Sequence, residues 1–207
     1  INKHMLMSDP PDHTRLRGLV SKAFTPRVVE NLRPRIQQIS DDLITQMQAK
    51  GHADLIADFA LPLPITVIAE LLGIPLSDQE RFRYWSQTIV LGGLRGENPD
   101  AVGAAALEFI MYFHEMFERR RAEPQDDMLT GLVMAEEAGD QLDPQELLSM
   151  VFLLLVAGHE TTVNLIGNGT LALLEHPDQI TKLKADSSLM KTALEEMLRY
   201  NGPVGLS

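Results

Sequence analysis

Between Asp143 and Pro177 the chain gives a helix no firm reason to stop. Asp143-Pro144-Gln145-Glu146 reads as an N-cap, a proline at the first helical position and a capping acid at N3. The next firm terminator is Pro177. At 1.5 Å per residue, some 32 residues make a rod of roughly 48 Å. Such a rod crosses a whole domain, so the remainder has to be organised around it. Much of it is apolar: Val151-Phe152-Leu153-Leu154-Leu155-Val156, then Val163, Leu165 and Ile166. Inside that run, residues 157–162 read Ala-Gly-His-Glu-Thr-Thr. An unpaired buried polar group costs roughly 1–3 kcal/mol, and a charge more. Chemistry is one good reason for a carboxylate and two hydroxyls to sit there.

Helix signals dominate elsewhere. Asp9-Pro10-Pro11-Asp12 looks like an N-cap, a proline and an acid opening a helix to about Phe24. Thr25-Pro26 starts a second helix, which Gly51 ends. A loop with Pro62 and Pro64 leads into a helix over 65–72, stopped by Gly73 and Pro75. Ser77 and Glu80 have capping-box spacing and open a helix that ends near Gly92-Gly93. Residues 91–100 read as a loop and 101–121 as an amphipathic helix. Asp127 can cap a short helix from Met128, which Gly139-Asp140 breaks. Shorter helices follow near 178–185 and 188–200, then Gly202-Pro203 turns the chain into an apolar tail. The expectation is a mainly α fold organised around the long helix, a single unit over 1–207.

The 207 residues, 44% of them hydrophobic, suffice for a packed core. There is no cysteine, hence no disulfide and no thiolate metal site within the chain. No uninterrupted apolar run reaches the ~18 residues of a membrane span. The net charge of −11 argues against nucleic acid as a general partner. The charge is uneven, however. From His13 to Arg35 the cations Arg15, Arg17, Lys22, Arg27, Arg33 and Arg35 face only Glu30, a net of +5 that leaves −16 elsewhere. That segment is either a solvated helix face or a docking patch for an acidic partner.

Three constellations could carry chemistry. On the long helix, Glu160, Asn164 and Asn168 form a polar stripe at i, i+4, i+8. Ala157 and Gly158 permit close approach to the backbone, and Thr161 can bond back to the carbonyl of residue 157 and open the helix locally. A hydroxyl with an acid beside it can deliver protons; the alternative is a core helix with satisfied polar residues. A zinc-protease reading of His159-Glu160 fails, because Val163 stands where the second histidine is needed. His13 and Arg17, at i and i+4, repel slightly unless a shared anion such as a carboxylate draws them together. Glu196 and Arg199, at i and i+3, taken alone make an ordinary surface pair.

In their order and spacing, these motifs make the chain resemble the cytochrome P-450 family of haem-thiolate monooxygenases, especially its soluble bacterial members. Residues 12–17, Asp-His-Thr-Arg-Leu-Arg, resemble the family's helix C signature. Residues 157–162 resemble its oxygen-activation motif on helix I, and 196–199, Glu-Met-Leu-Arg, its helix K Glu-x-x-Arg. The resemblance implies a partial P-450 fold, helix C to helix K, around a long central helix I. It implies that His13 and Arg17 bind a propionate of a b-type haem. Ala157 and Gly158 would lie over the haem, while Glu160 and Thr161 would relay protons to dioxygen with Thr162 beside them. Glu196 and Arg199 would form a buried structural ion pair. Leu91, Leu94, Leu153, Val156 and Val204 would face substrate. The basic segment would receive a ferredoxin or flavodoxin electron donor. The reaction would be hydroxylation or epoxidation of a small organic substrate, in the cytoplasm.

The family's axial cysteine, which favours O–O cleavage, is not among the 207 residues, so no metal ligand is assigned. Three readings follow. The chain is the central piece of a haem monooxygenase, inactive by itself, whose gene continues into a Phe-x-x-Gly-x-x-x-Cys-x-Gly segment. It is an inactive helical scaffold of the same descent. Or it is a helical domain that binds an apolar ligand without haem. Uncovered apolar faces also predict self-association.

Overall fold

The computed structural model describes residues 3–92, 98–137 and 140–204. Among them lie nine α-helices: α1 (Asp12–Ala23), α2 (Pro26–Lys50), α3 (Pro62–Leu71), α4 (Gln79–Ser86), α5 (Pro99–Ala122), α6 (Met128–Val133), α7 (Pro144–Glu175), α8 (Pro177–Ala185) and α9 (Met190–Tyr200). One antiparallel hairpin, β1 (Glu136–Glu137) with β2 (Asp140–Gln141), pairs Glu136 with Gln141. The mainly α expectation holds. The chain divides into two compact units, the first Ile1–Ile39 with Ile65–Val156, the second Ser40–Pro64 with Ala157–Ser207.

The first unit holds an aromatic core. On α5, Phe109, Tyr112, Phe113, Met116 and Phe117 form one buried stripe at i, i+3, i+4, i+7, i+8. Phe82 and Trp85 of α4 pack on it, with Trp85 5.2 Å from Tyr112 and Phe82 6.3 Å from Phe113. Phe152 of α7 meets Phe109 edge-on at 6.2 Å, and Leu147, Val151 and Leu155 of α7 are fully buried in the same core. The polar tips are satisfied. Trp85 Nε1 donates to Glu108 at 3.0 Å, and Tyr112 donates to Asp78 at 2.9 Å. Burial first, then that hydrogen bond, raises the Tyr112 hydroxyl above the ordinary phenol range.

A buried ion pair joins three segments of this unit. Arg120, near the end of α5, donates to Asp127 at 2.7 Å and to the carbonyl of Gly73 at 3.0 Å. Asp127 in turn caps α6, accepting from the Thr130 N–H at 2.8 Å. Gly73 ends α3 with φ +69°, and a Cβ there would lie 2.1 Å from Asp127 Oδ2. Glycine is therefore demanded twice, by the left-handed backbone and by the carboxylate against it.

The second unit contains Ala157–Ser207 and the segment from Ser40. Here α9 packs on the last turns of α7: Gly169 has no side chain, and a Cβ there would meet Met197 Sδ at 2.8 Å. Asn164 donates to the Pro203 carbonyl at 3.1 Å and Asn168 to that of Asn201 at 3.4 Å, so the polar stripe pins the tail. Asp54 caps the turn Ile56–Ala60, accepting from the Ile56 and Ala57 amides at 2.9 and 3.1 Å.

Several helix boundaries differ from expectation. Helix α1 begins at Asp12, with Pro11 in the N-cap position and no side-chain cap; the Asp9 carbonyl, not its carboxylate, accepts from the His13 N–H. Pro62 and Pro64 lie within the first turn of α3, where a missing N–H costs nothing. Ser77 bonds its neighbour Asp78 rather than capping α4, and a short turn over Leu76–Asp78 intervenes. Helix α6 ends at Val133, well before Gly139, because the hairpin takes over. Of the expected loop at 91–100, Asn98 caps α5 through the Ala101 N–H, and 93–97 lie outside the described residues. Helix α7 is long and apolar enough to cross a membrane by length and mean hydropathy, which an uninterrupted-run criterion misses. Its buried face between Leu147 and Leu155 is that of a core helix.

Gly73→Ala is expected to destabilise the protein by about 2 kcal/mol or more, the left-handed penalty alone being roughly 1–2 kcal/mol. A urea midpoint equal to that of the parent would contradict this. Asp127→Ala, which strands Arg120, is expected to cost about 3–5 kcal/mol on the same measurement.

Candidate functional site

The long helix starts as its cap dictates. Asp143 accepts from the Glu146 N–H at 2.8 Å, and Glu146 accepts from the Asp143 N–H at 2.9 Å. From there α7 runs unbroken to Glu175. Thr161 Oγ1 donates to the Ala157 carbonyl at 2.5 Å, the back-bond the spacing predicts. The expected local opening is absent, because this bond is absorbed without interrupting the helix. Ala157 is exposed, while Gly158, Glu160, Thr161 and Thr162 are partly buried. The Glu160 carboxylate makes no hydrogen bond or ion pair among the described residues, so an acid with free acceptors stands one residue from a hydroxyl.

The burial of His159 was not anticipated from the sequence. The residue is fully buried, and burial holds its imidazole below the usual value of 6.5. Helical periodicity could have flagged it, since it lies four residues after Leu155 and four before Val163, both buried.

In the first unit, His13 and Arg17 share one face of α1. Neither side chain makes a hydrogen bond or ion pair among the described residues, so both keep donors for an external anion. Other cations of the basic segment are committed. Arg15 pairs with Glu146 and Asp140, Arg33 with Glu30, and Arg35 with Glu70 through two bonds of 2.6 and 2.7 Å. The expected patch of +5 is thus reduced, because carboxylates from outside the segment pair with two of its arginines, Arg15 and Arg35.

Glu196 and Arg199 make the expected two-pronged pair, at 2.6 and 2.7 Å. The pair is exposed rather than buried, at 58% and 71%. Hydrogen bonds from Arg199 hold the Glu196 carboxyl below its ordinary range. Of the substrate-facing expectations, Leu153 is buried in the core of the first unit and Val156 packs against that core. Leu153 lies one turn after Met150, which is fully buried, and shares its side of the helix. Val204 is exposed, at 69%, rather than enclosed, the tail being held by its backbone carbonyls. Leu94 and the side chain of Leu91 lie outside the described residues.

The family model "Cytochrome P450" matches residues 76–196, more than half of the chain. The chain belongs to the cytochrome P450 family. It is 53% identical to cytochrome P450 107B1 of Saccharopolyspora erythraea, over 99% of this chain and 49% of that protein. It is 50% identical to the cytochrome P450 monooxygenase PikC of Streptomyces venezuelae, over 99% and 49%. Among solved structures, the bacillaene polyketide synthase cytochrome P450 PksS of Bacillus subtilis superposes with TM-score 0.90 at 48% identity, covering 97% of this chain and 51% of that one. The chain therefore spans about half the length of the P450s it matches. The mainly α reading as a partial P450 fold stands.

The residues present fit one part of a haem site and lack another. A histidine and an arginine with free donors suit a haem carboxylate. The small, exposed Ala157 leaves the motif face of α7 open. The axial thiolate has no source among the 207 residues.

The buried His159 generates a pH prediction. Its folded-state pKa is depressed, so the unfolded chain takes up the proton first. Its contribution is present above about pH 6.5 and is lost as pH falls toward the folded-state value. Stability is expected to decline from pH 7 to pH 5, with a smaller decline in His159→Gln. Parallel pH profiles of the urea midpoint would refute it. His4, also held low by burial, leaves a residual slope in both.

Proposed function

We propose that this chain is the helix C to helix K portion of a bacterial haem monooxygenase that hydroxylates or epoxidises an organic substrate. The observation that carries the reading is that one chain holds free donors on His13 and Arg17 of α1 and an acid–hydroxyl pair, Glu160 and Thr161, on α7. Both occur in a chain about half identical to P450s throughout its length. Haem with a thiolate ligand supplies the activation of dioxygen. His13 and Arg17 hold a haem carboxylate through charge-assisted hydrogen bonds. Ala157 and Gly158 keep side-chain bulk away from the haem face. The Thr161 hydroxyl, parked on the Ala157 carbonyl, can turn to donate outward, and Glu160 resupplies its proton. Thr162 lends a second hydroxyl. Glu196 and Arg199 are structural, and Val156 borders the substrate.

The chain by itself is inactive in this reading, since the thiolate must come from a cysteine outside these residues. Electrons come from a ferredoxin or flavodoxin, for which Arg27 remains as an unpaired cation of the basic segment among the described residues. The setting is cytoplasmic.

Titrating the 207-residue chain with hemin is expected to give a saturable Soret shift. Its reduced carbon monoxide complex is expected to lack the thiolate band. The variant His13→Ala/Arg17→Ala is expected to bind hemin about a hundredfold or more weakly, the loss of two charge-assisted bonds of roughly 1.5–3 kcal/mol each. A chain with no saturable Soret response would sink the haem reading and leave a helical scaffold of P450 descent.

One further observation supports self-association. Met190, Leu194 and Leu198 form a stripe at i, i+4, i+8 on α9 with 46%, 44% and 41% exposure, and Leu171 and Leu174 of α7 are more exposed still. Contiguous exposed apolar surface of this kind drives association. Light scattering is expected to report a species larger than a monomer, reduced by Leu194→Glu/Leu198→Glu. A monomer at all concentrations would refute this.

A further inference from the structure

The first turn of α1 is weakly held by everything except one residue. Pro11, in the N-cap position, supplies no side-chain bond to it. The buried anchors of the helix, Leu16, Leu19, Val20 and Ala23, all lie later. Among Asp12, His13, Thr14 and Arg15, only the side chain of Arg15 makes hydrogen bonds among the described residues.

Those bonds are directional and reach the start of α7. Arg15 Nη2 donates to Glu146 Oε1, and Nη1 donates to Asp140 Oδ2 at 3.2 Å and to Glu146 Oε2 at 3.4 Å. Glu146 is 8% exposed, and its Oε2 also receives the Asp143 amide at 2.9 Å. The same carboxylate therefore closes the capping box of α7 and holds α1. The hydrogen bond from Arg15 to Glu146 is the largest influence raising the Arg15 pKa, so this guanidinium stays charged throughout.

Angular position gives the contact its consequence. At about 100° per residue, Arg15 sits roughly 200° from His13 around the helix. The apolar anchors occupy the arc between Arg15 and the His13–Arg17 face. Apolar packing restrains a helix without fixing its rotation sharply, because the attraction is non-directional. A two-pronged arginine–carboxylate contact does fix it.

We propose that Arg15 is a positioning residue. Through Glu146 it sets the rotation of the first turn of α1, and so the aim of His13, relative to Arg17, at the carboxylate they share. This rests on the reading of His13 and Arg17 as a haem-carboxylate pair. Arg15 does not touch the ligand. It acts by keeping two donors on one face in register, and His13 depends on it more than Arg17, which lies beside the buried anchors.

Hemin and hemin dimethyl ester, which lacks free carboxylates, separate this role from ordinary stabilisation when both are titrated into the full 207-residue chain. The variant Arg15→Gln/Glu146→Gln removes both charges together, and the amide oxygen introduced at position 146 can still accept from the Asp143 N–H. The parent chain is expected to prefer hemin to its diester by about tenfold, and the double variant to lose most of that preference, a usual size for removing an outer-shell partner of a ligand-binding group. Its urea midpoint should change little. Arg15→Lys, which keeps the charge without the fork, should lose the preference to a similar degree and keeps the test available should the double variant fold poorly. An undiminished preference in a folded variant overturns the positioning role while leaving the carboxylate reading intact. Parallel weakening of both ligands with a lower urea midpoint also overturns it, leaving Arg15 structural. A parent chain with no preference for the free acid removes the carboxylate reading, and this proposal with it.

Discussion

The carboxylate of Glu146 is the point at which two helices of the first unit meet through directional bonds. It closes the capping box that starts α7 and holds the guanidinium of Arg15, so one side chain ties the longest helix to the helix carrying His13 and Arg17. Such a buried charge is stable only while it is paired and hydrogen-bonded. Here the arginine and the Asp143 amide supply both conditions. The arrangement also draws Arg15 out of the exposed basic face, so the electrostatic character of that face follows from the helix cap.

The two ends of α7 are treated differently. Its first three turns are buried in the aromatic core around Phe109 and Phe113, where substitution is felt through packing. Past Val156 the motif residues are mostly half-buried, and the last turns carry exposed Leu171 and Leu174. Three of the polar groups there have an outlet: Thr161 in its own helix, Asn164 and Asn168 in the tail carbonyls. Glu160 and Thr162 have none among the described residues.

Much of this was legible in the residues. The cap at Asp143 and Glu146, the end at Glu175, the cap of α6 at Asp127 and the Thr161 back-bond all follow from local stereochemistry, which needs only neighbours a few residues away. The misjudged features are non-local. The Asp9 and Ser77 caps failed because the chain found other turns, and the packing of Leu153, expected to face substrate, into the core of the first unit was not legible because periodicity cannot say which neighbour a face meets. The burial of His159 and the joining of Arg120, Asp127 and Gly73 depend on segments far apart in sequence.

The sequence by itself determined the helical class, the central rod, the family and the order of the candidate residues, because periodicity, capping and motif spacing are short-range properties. Tertiary structure decided which charges remain available. Arg15 and Arg35 are spent on carboxylates of other helices, His13 and Arg17 are not, and Glu196 with Arg199 stands exposed. The reason is physical: an ion pair or a burial depends on what another segment brings within a few ångströms, and only the folded chain sets that distance.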